Sequence, residues 1–187
     1  MMQQEYTISL FTEDHIGILS RITLILTRRQ INIESITASE SAVKGVQMLT
    51  MVVTTTPDMV NKVARQIEKL VDVIKVFVHT SPEIICQEIA LYKVATRGLM
   101  SGSMIGDLVR KHHARILEVT PEYIVVEKSG NKAEITDLLA VLEPCGVLQF
   151  VRSGRIAVTR QVKELTAYLK EMEEGERGRP EKHEVYN

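Results

Sequence analysis

The side chains most able to do chemistry in this 187-residue chain are few and scattered. Cys86 and Cys145 are the only cysteines, and the histidines include one adjacent pair, His112 and His113. Adjacent helical residues point in different directions, and no thiol or carboxylate stands at ligand spacing, so the pair makes a poor metal site. It reads as a solvated helix end, which cationic histidine would suit. Cys145 follows Pro144 at a helix stop and reads as packing. The chain contains no P-loop, no G-x-G-x-x-G, no H-E-x-x-H and no paired C-x-x-C. No catalytic and no metal-ligating residue is assigned.

One stretch points to binding. Residues 13–22, E-D-H-I-G-I-L-S-R-I, join a strand to a helix. A helix start presents N–H groups without internal partners, and its dipole favours an anion. Gly17 has no Cβ, so a carboxylate could approach that backbone closely. Ile16, Ile18 and Leu19 would form an apolar wall beside it. An α-carboxylate next to an apolar side chain describes a branched-chain amino acid. The same residues also allow a plainer reading, with Asp14 as a helix cap and Gly17 as a turn. The residues alone leave both open.

The surrounding composition sets bounds. Hydrophobic residues make up 44% of the chain, enough for a buried core. The formal net charge of −1 provides no general attraction to nucleic acid or anionic membrane. The opening M-M-Q-Q-E lacks the pattern of a signal peptide, and no apolar run approaches the roughly 20 residues of a membrane span. These features read as a soluble cytoplasmic protein with two free, buried thiols.

Periodicity supplies the elements. Residues 6–11 alternate as a strand. Ile18, Leu19, Ile22, Ile25 and Leu26 fall on one helical face. Residues 31–36 alternate again, and 46–55 form an apolar, β-branched strand. Thr56, Pro57 and Asp58 predict a helix start. Val60, Val63, Ala64, Ile67, Leu70 and Val71 continue that helix, and 73–78 close the unit as a strand. The order then repeats: strand 84–95, a helix marked by Met104, Ile105, Leu108 and Val109, a hairpin of 115–119 with 123–127, a helix marked by Ile135, Leu138, Leu139 and Leu142, and a strand 147–151. The expected fold is α+β, two ferredoxin-like βαββαβ sandwiches in tandem. The first spans residues 1–80 and the second 81–160. Val162, Leu165, Leu169 and Met172 predict an amphipathic helix, and the charged remainder to 187 predicts a disordered tail.

The motifs also resemble a known family. D-H-I-G-I-L-S-R-I (14–22) followed by R-R-Q-I-N-I-E-S-I-T (28–37) is similar to the start of an ACT domain, and more narrowly to the small subunit of acetohydroxyacid synthase, or acetolactate synthase. The likeness continues in K-L-V-D-V-I-K-V (69–76), E-I-A-L-Y-K-V (88–94), I-L-E-V-T-P (116–121) and V-R-S-G-R-I-A-V-T-R (151–160). The resemblance implies a regulatory subunit that stimulates a separate catalytic subunit and confers feedback inhibition by a branched-chain amino acid, typically valine. It implies an ACT homodimer with the effector between copies. Asp14, His15, Ile16, Gly17, Ile18 and Leu19 would supply the helix-start half, and Asn32 and Ile33 the other half from the neighbouring subunit. Thiamine diphosphate, magnesium and FAD would belong to the catalytic subunit. The segment Arg152, Ser153 and Gly154 reads either as a contact to that subunit or as an ordinary turn. Two departures stand out: Asp14 replaces the family's usual Asn, and Ile16 a common Pro. A carboxylate at position 14 would attract the ligand's ammonium and repel its carboxylate.

Three other functions are compatible with parts of this pattern. An RNA-binding domain shares the strand-helix order, but its central strand needs aromatics, and Val46 to Met51 has none. A stand-alone amino-acid sensor acting on another enzyme or transporter would share the ligand site but not the partner. An enzyme assembled at a dimer interface would turn over substrate alone.

Overall fold

The computed structural model describes residues 2–98 and 102–160. The helix and tail expected from 161 to 187 lie outside that range. The first unit runs β1 (Gln4–Glu13), α1 (Ile18–Arg28), β2 (Ile33–Glu40), β3 (Val46–Thr55), α2 (Pro57–Ile67) and β4 (Val73–His79). Its antiparallel pairings give the strand order β2-β3-β1-β4. The second runs β5 (Ile84–Ala95), α3 (Gly102–Lys111), β6 (Arg115–Val119), β7 (Tyr123–Gly130), α4 (Lys132–Leu142) and β8 (Val147–Arg152), in the order β6-β7-β5-β8. These are two copies of one topology, the tandem ferredoxin-like arrangement expected from the sequence. A 3₁₀ turn at Ser81–Glu83, closed by a Thr80/Glu83 capping box, joins them.

Each sheet buries one face against its helices. Ile8 and Leu10 from β1, Met51 and Val53 from β3, and Ile22, Leu26, Val63 and Ile67 from the helices form the first core. Tyr92, Val94, Val126, Ile135 and Leu138 centre the second. Period-two alternation in strands and three-to-four spacing in helices deliver these side chains to one side. Burying each is worth about 1.5–3 kcal/mol.

Several local expectations differ from the structure. α2 stops at Ile67, so Leu70 packs on the core from outside the helix and Val71 is 92% exposed. Thr56 is the α2 N-cap residue, but its hydroxyl makes no capping hydrogen bond. His112 is half-buried with an unpartnered Nε2, and only His113 is exposed. Cys86 and Cys145 are free thiols, the first half-buried and the second buried. A ninth strand, β9 (Ile156–Thr159), pairs with the first residues of β5. No helix among the described residues is long and apolar enough to cross a membrane.

That extra strand matters for the arrangement. The β1 and β3 side chains opposite the helices, including Thr7, Ser9, Thr50 and Val52, are also buried. The β5–β9 ribbon lies over this side, with a cleft of about 320 Å³ left between Thr37, Met48 and Thr50 and the ribbon's Ile85, Ile156 and Val158.

The second core holds a buried phenol, Tyr92. The Tyr92 hydroxyl donates to the carbonyl of Ile135 at 2.8 Å, and burial pushes its pKa up to about 12. An unfolded tyrosine titrates near 10. Between those values the folded chain keeps a proton that the unfolded chain has lost, so stability falls as pH rises. Tyr92→Phe should cost about 1 kcal/mol at neutral pH through the lost hydrogen bond. Urea denaturation of both proteins at pH 7, 10 and 11.5 should show the alkaline decline reduced in the variant.

Candidate functional site

The loop between β1 and α1 is shaped by one glycine. Gly17 is the residue preceding α1, at φ +86°, in the left-handed region that L side chains rarely adopt. A Cβ there would meet nothing within 4 Å, so the constraint is on the backbone and the space in front is open. No side chain caps α1, and its first turn contains no acidic residue. Asp14 therefore does not act as the expected cap. Its N–H donates to the carbonyl of Gly45 at 3.2 Å, and its carboxylate accepts from Gln47 Nε2 at 2.7 Å. The left-handed turn at Gly17 places three residues between Asp14 and the helix.

What remains at the helix start is a set of donors. The N–H of Ile18 reaches the carbonyl of His15 at 3.3 Å, and Arg21 begins the helical pattern on Gly17. The N–H groups of Leu19 and Ser20 lie between them, facing no side-chain cap. Ile16 is fully exposed and Leu19 41% exposed. Ile18 turns the other way, 4% exposed within the first core. It anchors the helix instead of lining the expected apolar wall.

The loop is held from behind by Asp72, just before β4. Its carboxylate, 10% exposed, meets His15 Nδ1 at 2.8 Å and also accepts from the Arg21 guanidinium. Its main-chain carbonyl accepts from the N–H of Glu13 at 2.9 Å. Periodicity gave no reason to single out Asp72 or Arg21. The clue available was the K-L-V-D-V-I-K-V segment, in which a lone acid interrupts an apolar run. Glu13, His15 and Asp72 offer ligand atoms within 4.8 Å of one another. Arg21 already neutralises Asp72, and a metal ion there would have to compete with that guanidinium.

Asn32 and Ile33 are elsewhere. β2 runs parallel to β1 with β3 between them, and Ile33 is level with Val53 and Tyr6. The Asp14–Gly17 loop follows Glu13 at the other end of β1. Seven residues at about 3.4 Å put the two places roughly 24 Å apart in one chain. Asn32 is exposed, and Ile33 is half-buried against its own core. The structure thus gathers residues 14–19 and leaves 32–33 at the far end of the sheet.

Arg152 and Gly154 are half-buried and Ser153 is exposed, and all three make contacts within the chain. Arg152 Nε lies 3.2 Å from Glu88 Oε2, though without hydrogen-bond alignment. Ser153 Oγ accepts from the N–H of Ile89 at 2.9 Å. Gly154 rests on Ile36 and Thr37 of the first unit, so closely that a Cβ would collide with Thr37 Oγ1.

Comparison with known proteins agrees with this architecture. A family described as "AHAS small subunit-like ACT domain" matches residues 8–75, and one described as "Small subunit of acetolactate synthase" matches 87–161. The chain is 32% identical over 161 residues to an acetolactate synthase small subunit of Mycobacterium bovis, covering 86% of this chain and 95% of that protein. It is 32% identical over 154 residues to that of Bacillus subtilis, covering 82% and 89%. A crystal structure of the acetolactate synthase small subunit from Thermotoga maritima superposes with a TM-score of 0.77 at 26% identity, covering 84% of this chain and 98% of that one.

The Asp72 anchor can be tested directly. Asp72→Asn keeps the carbonyl contact to Glu13 but removes the charge facing His15 and Arg21, and should destabilise the chain by about 1–3 kcal/mol. Glu13→Gln removes only an exposed carboxylate 4.0 Å from His15, and by the rule for exposed pairs should cost under about 0.5 kcal/mol. Urea denaturation measures both.

Proposed function

This chain belongs to the family of acetolactate synthase small subunits, and from that membership we propose that it binds a branched-chain amino acid and confers feedback inhibition on the catalytic subunit of acetolactate synthase. The small-subunit family implies a catalytic large subunit as partner. Stimulation of that partner, valine as the effector and pairing of two copies are parts of the proposal.

One observation carries the amino-acid site: an uncapped helix start beside an open left-handed glycine. The Leu19 and Ser20 N–H groups and the helix dipole would hold the α-carboxylate. Ile16 and Leu19 supply apolar surface for a short branched side chain. Because Asn32 lies at the far end of the same sheet, it would reach this ligand only from a second copy, which fits a side-by-side pair. Its amide can both donate and accept, which suits an ammonium next to a carboxylate. Asp14 would add attraction for the ammonium, and Gln47 already draws on one of its oxygens.

In this reading the chain itself does no chemistry. It makes its partner's activity depend on amino-acid concentration through different affinity for two states of the assembly. Thiamine diphosphate, magnesium and FAD would act in the partner.

Gly17→Asp should abolish amino-acid binding, through bulk and like charge beside the carboxylate, while the fold persists by circular dichroism. Unchanged valine affinity by calorimetry would mean that the ligand sits elsewhere. Assaying the catalytic subunit with and without this chain, across valine, leucine and isoleucine, should show higher activity with the chain and inhibition by at least one of the three. A purified chain with turnover of its own would contradict the non-catalytic role.

A further inference from the structure

The two units are joined by a buried charge. Arg155, between β8 and β9, is 6% exposed. Its Nη1 donates to Glu5 Oε1 at 2.7 Å and to Thr7 Oγ1 at 3.1 Å, both on β1 of the first unit. Its Nε lies 3.7 Å from Glu88 Oε1 on β5 of the second, and its own N–H reaches Ser35 Oγ on β2 at 3.4 Å. Glu88 is 4% exposed and also faces Arg152. Two guanidinium groups and two carboxylates from both units therefore share one site.

Burying such groups is costly unless they are paired, and apolar side chains could join two surfaces at least as strongly. What a buried ion pair adds is one allowed geometry. The neighbouring Gly154 reinforces that geometry, because its close seat on Ile36 and Thr37 admits no larger residue. The 154–155 backbone is thus fixed to β2 at residues 35–37. Asn32 and Ile33, the partner-facing half of the amino-acid site, stand two to five residues earlier in the same segment. A displacement of that end of β2 must carry Arg155 with it or break the cluster.

We propose that Arg155 is the positioning residue that transmits occupancy of the amino-acid site to the C-terminal unit. The proposal rests on the site described under Proposed function, and it makes the C-terminal unit the mover. Lys132 of α4 and Glu34 of β2 form a second bridge between units at 3.2 Å, but both side chains are substantially exposed, so it is the weaker contact and the natural control.

The test uses the full chain reconstituted with its catalytic subunit, comparing wild type with Arg155→Met, Arg155→Lys and Lys132→Met. Arg155→Met should keep valine affinity within about threefold by calorimetry while losing most of the valine response of the assembly, so that binding and response separate. Arg155→Lys, able to meet Glu5 or Glu88 but not both, should respond to an intermediate extent, and Lys132→Met should behave like wild type. Thermal unfolding should change from one transition in wild type to two in Arg155→Met. Wild-type valine response in Arg155→Met overturns the proposal. So does parallel loss of affinity and response in both Arg155 variants, which would mark a merely structural role. A wild-type chain that binds no branched-chain amino acid overturns the site reading and this proposal together, which distinguishes it from the other failures.

Discussion

The constraint on which the binding account depends is the strand register of the first sheet. β1 and β2 run parallel with β3 between them, so the loop after β1 and the residues before β2 emerge at opposite ends. No side-chain rotation closes a gap of roughly 24 Å. A site that uses both ends is therefore a site between chains. A symmetric pair would form two such sites, each with a helix start from one copy and an Asn32 from the other. In the proposed reading, the topology that builds a stable sandwich would also make ligand binding depend on association.

Around that constraint the chain places its charges economically. Asp72 is almost enclosed, yet it meets two donors from the β1–α1 loop and α1 and holds the loop's backbone at Glu13. Arg155 is equally enclosed, hydrogen-bonds to β1 and β2, and lies beside Glu88 of β5. Neither is a burial that composition favours, since isolated charges are expensive to remove from water. Each sits where two segments distant in sequence must keep a fixed relation. Asp72 fixes the helix start against β4, and Arg155 fixes the C-terminal unit against β1 and β2. The ribbon of β5 and β9 then covers the back of the first sheet, which alone would leave Val52 and Thr7 to solvent.

Much of this was legible in the sequence, for physical reasons that also mark where legibility ends. β3 and β5 match their expected bounds because β-branched and apolar runs are punctuated by turn residues or by Pro82. The repeat of one topology was readable from the repeated order of periods. α2 was read too long because Leu70 keeps the helical spacing and the core contact after the helix has ended. The plainer reading of Asp14 as a cap fails because cap preference is a local rule, whereas the chain takes three more residues to turn through a left-handed glycine. β9 is only four residues and follows a polar turn, so its partner in β5 could not be inferred from spacing. Asp72 and Arg155 look like surface charges in sequence, since what buries them is 51 to 150 residues away. The Asp14–Leu19 and Asn32 positions came from resemblance as much as from residue chemistry. What the fold adds is their separation.

The most direct measurement is complementation between two broken chains. Gly17→Asp damages the helix-start half of the site and Asn32→Ala the other half, so each variant alone should bind no valine by calorimetry. In dimers reassembled from an equal mixture, a mixed pair holds one site with both lesions and one with neither. The account predicts recovery of about a quarter of the wild-type binding capacity at wild-type affinity. No recovery on mixing, or full affinity in Asn32→Ala alone, would contradict a site shared between copies.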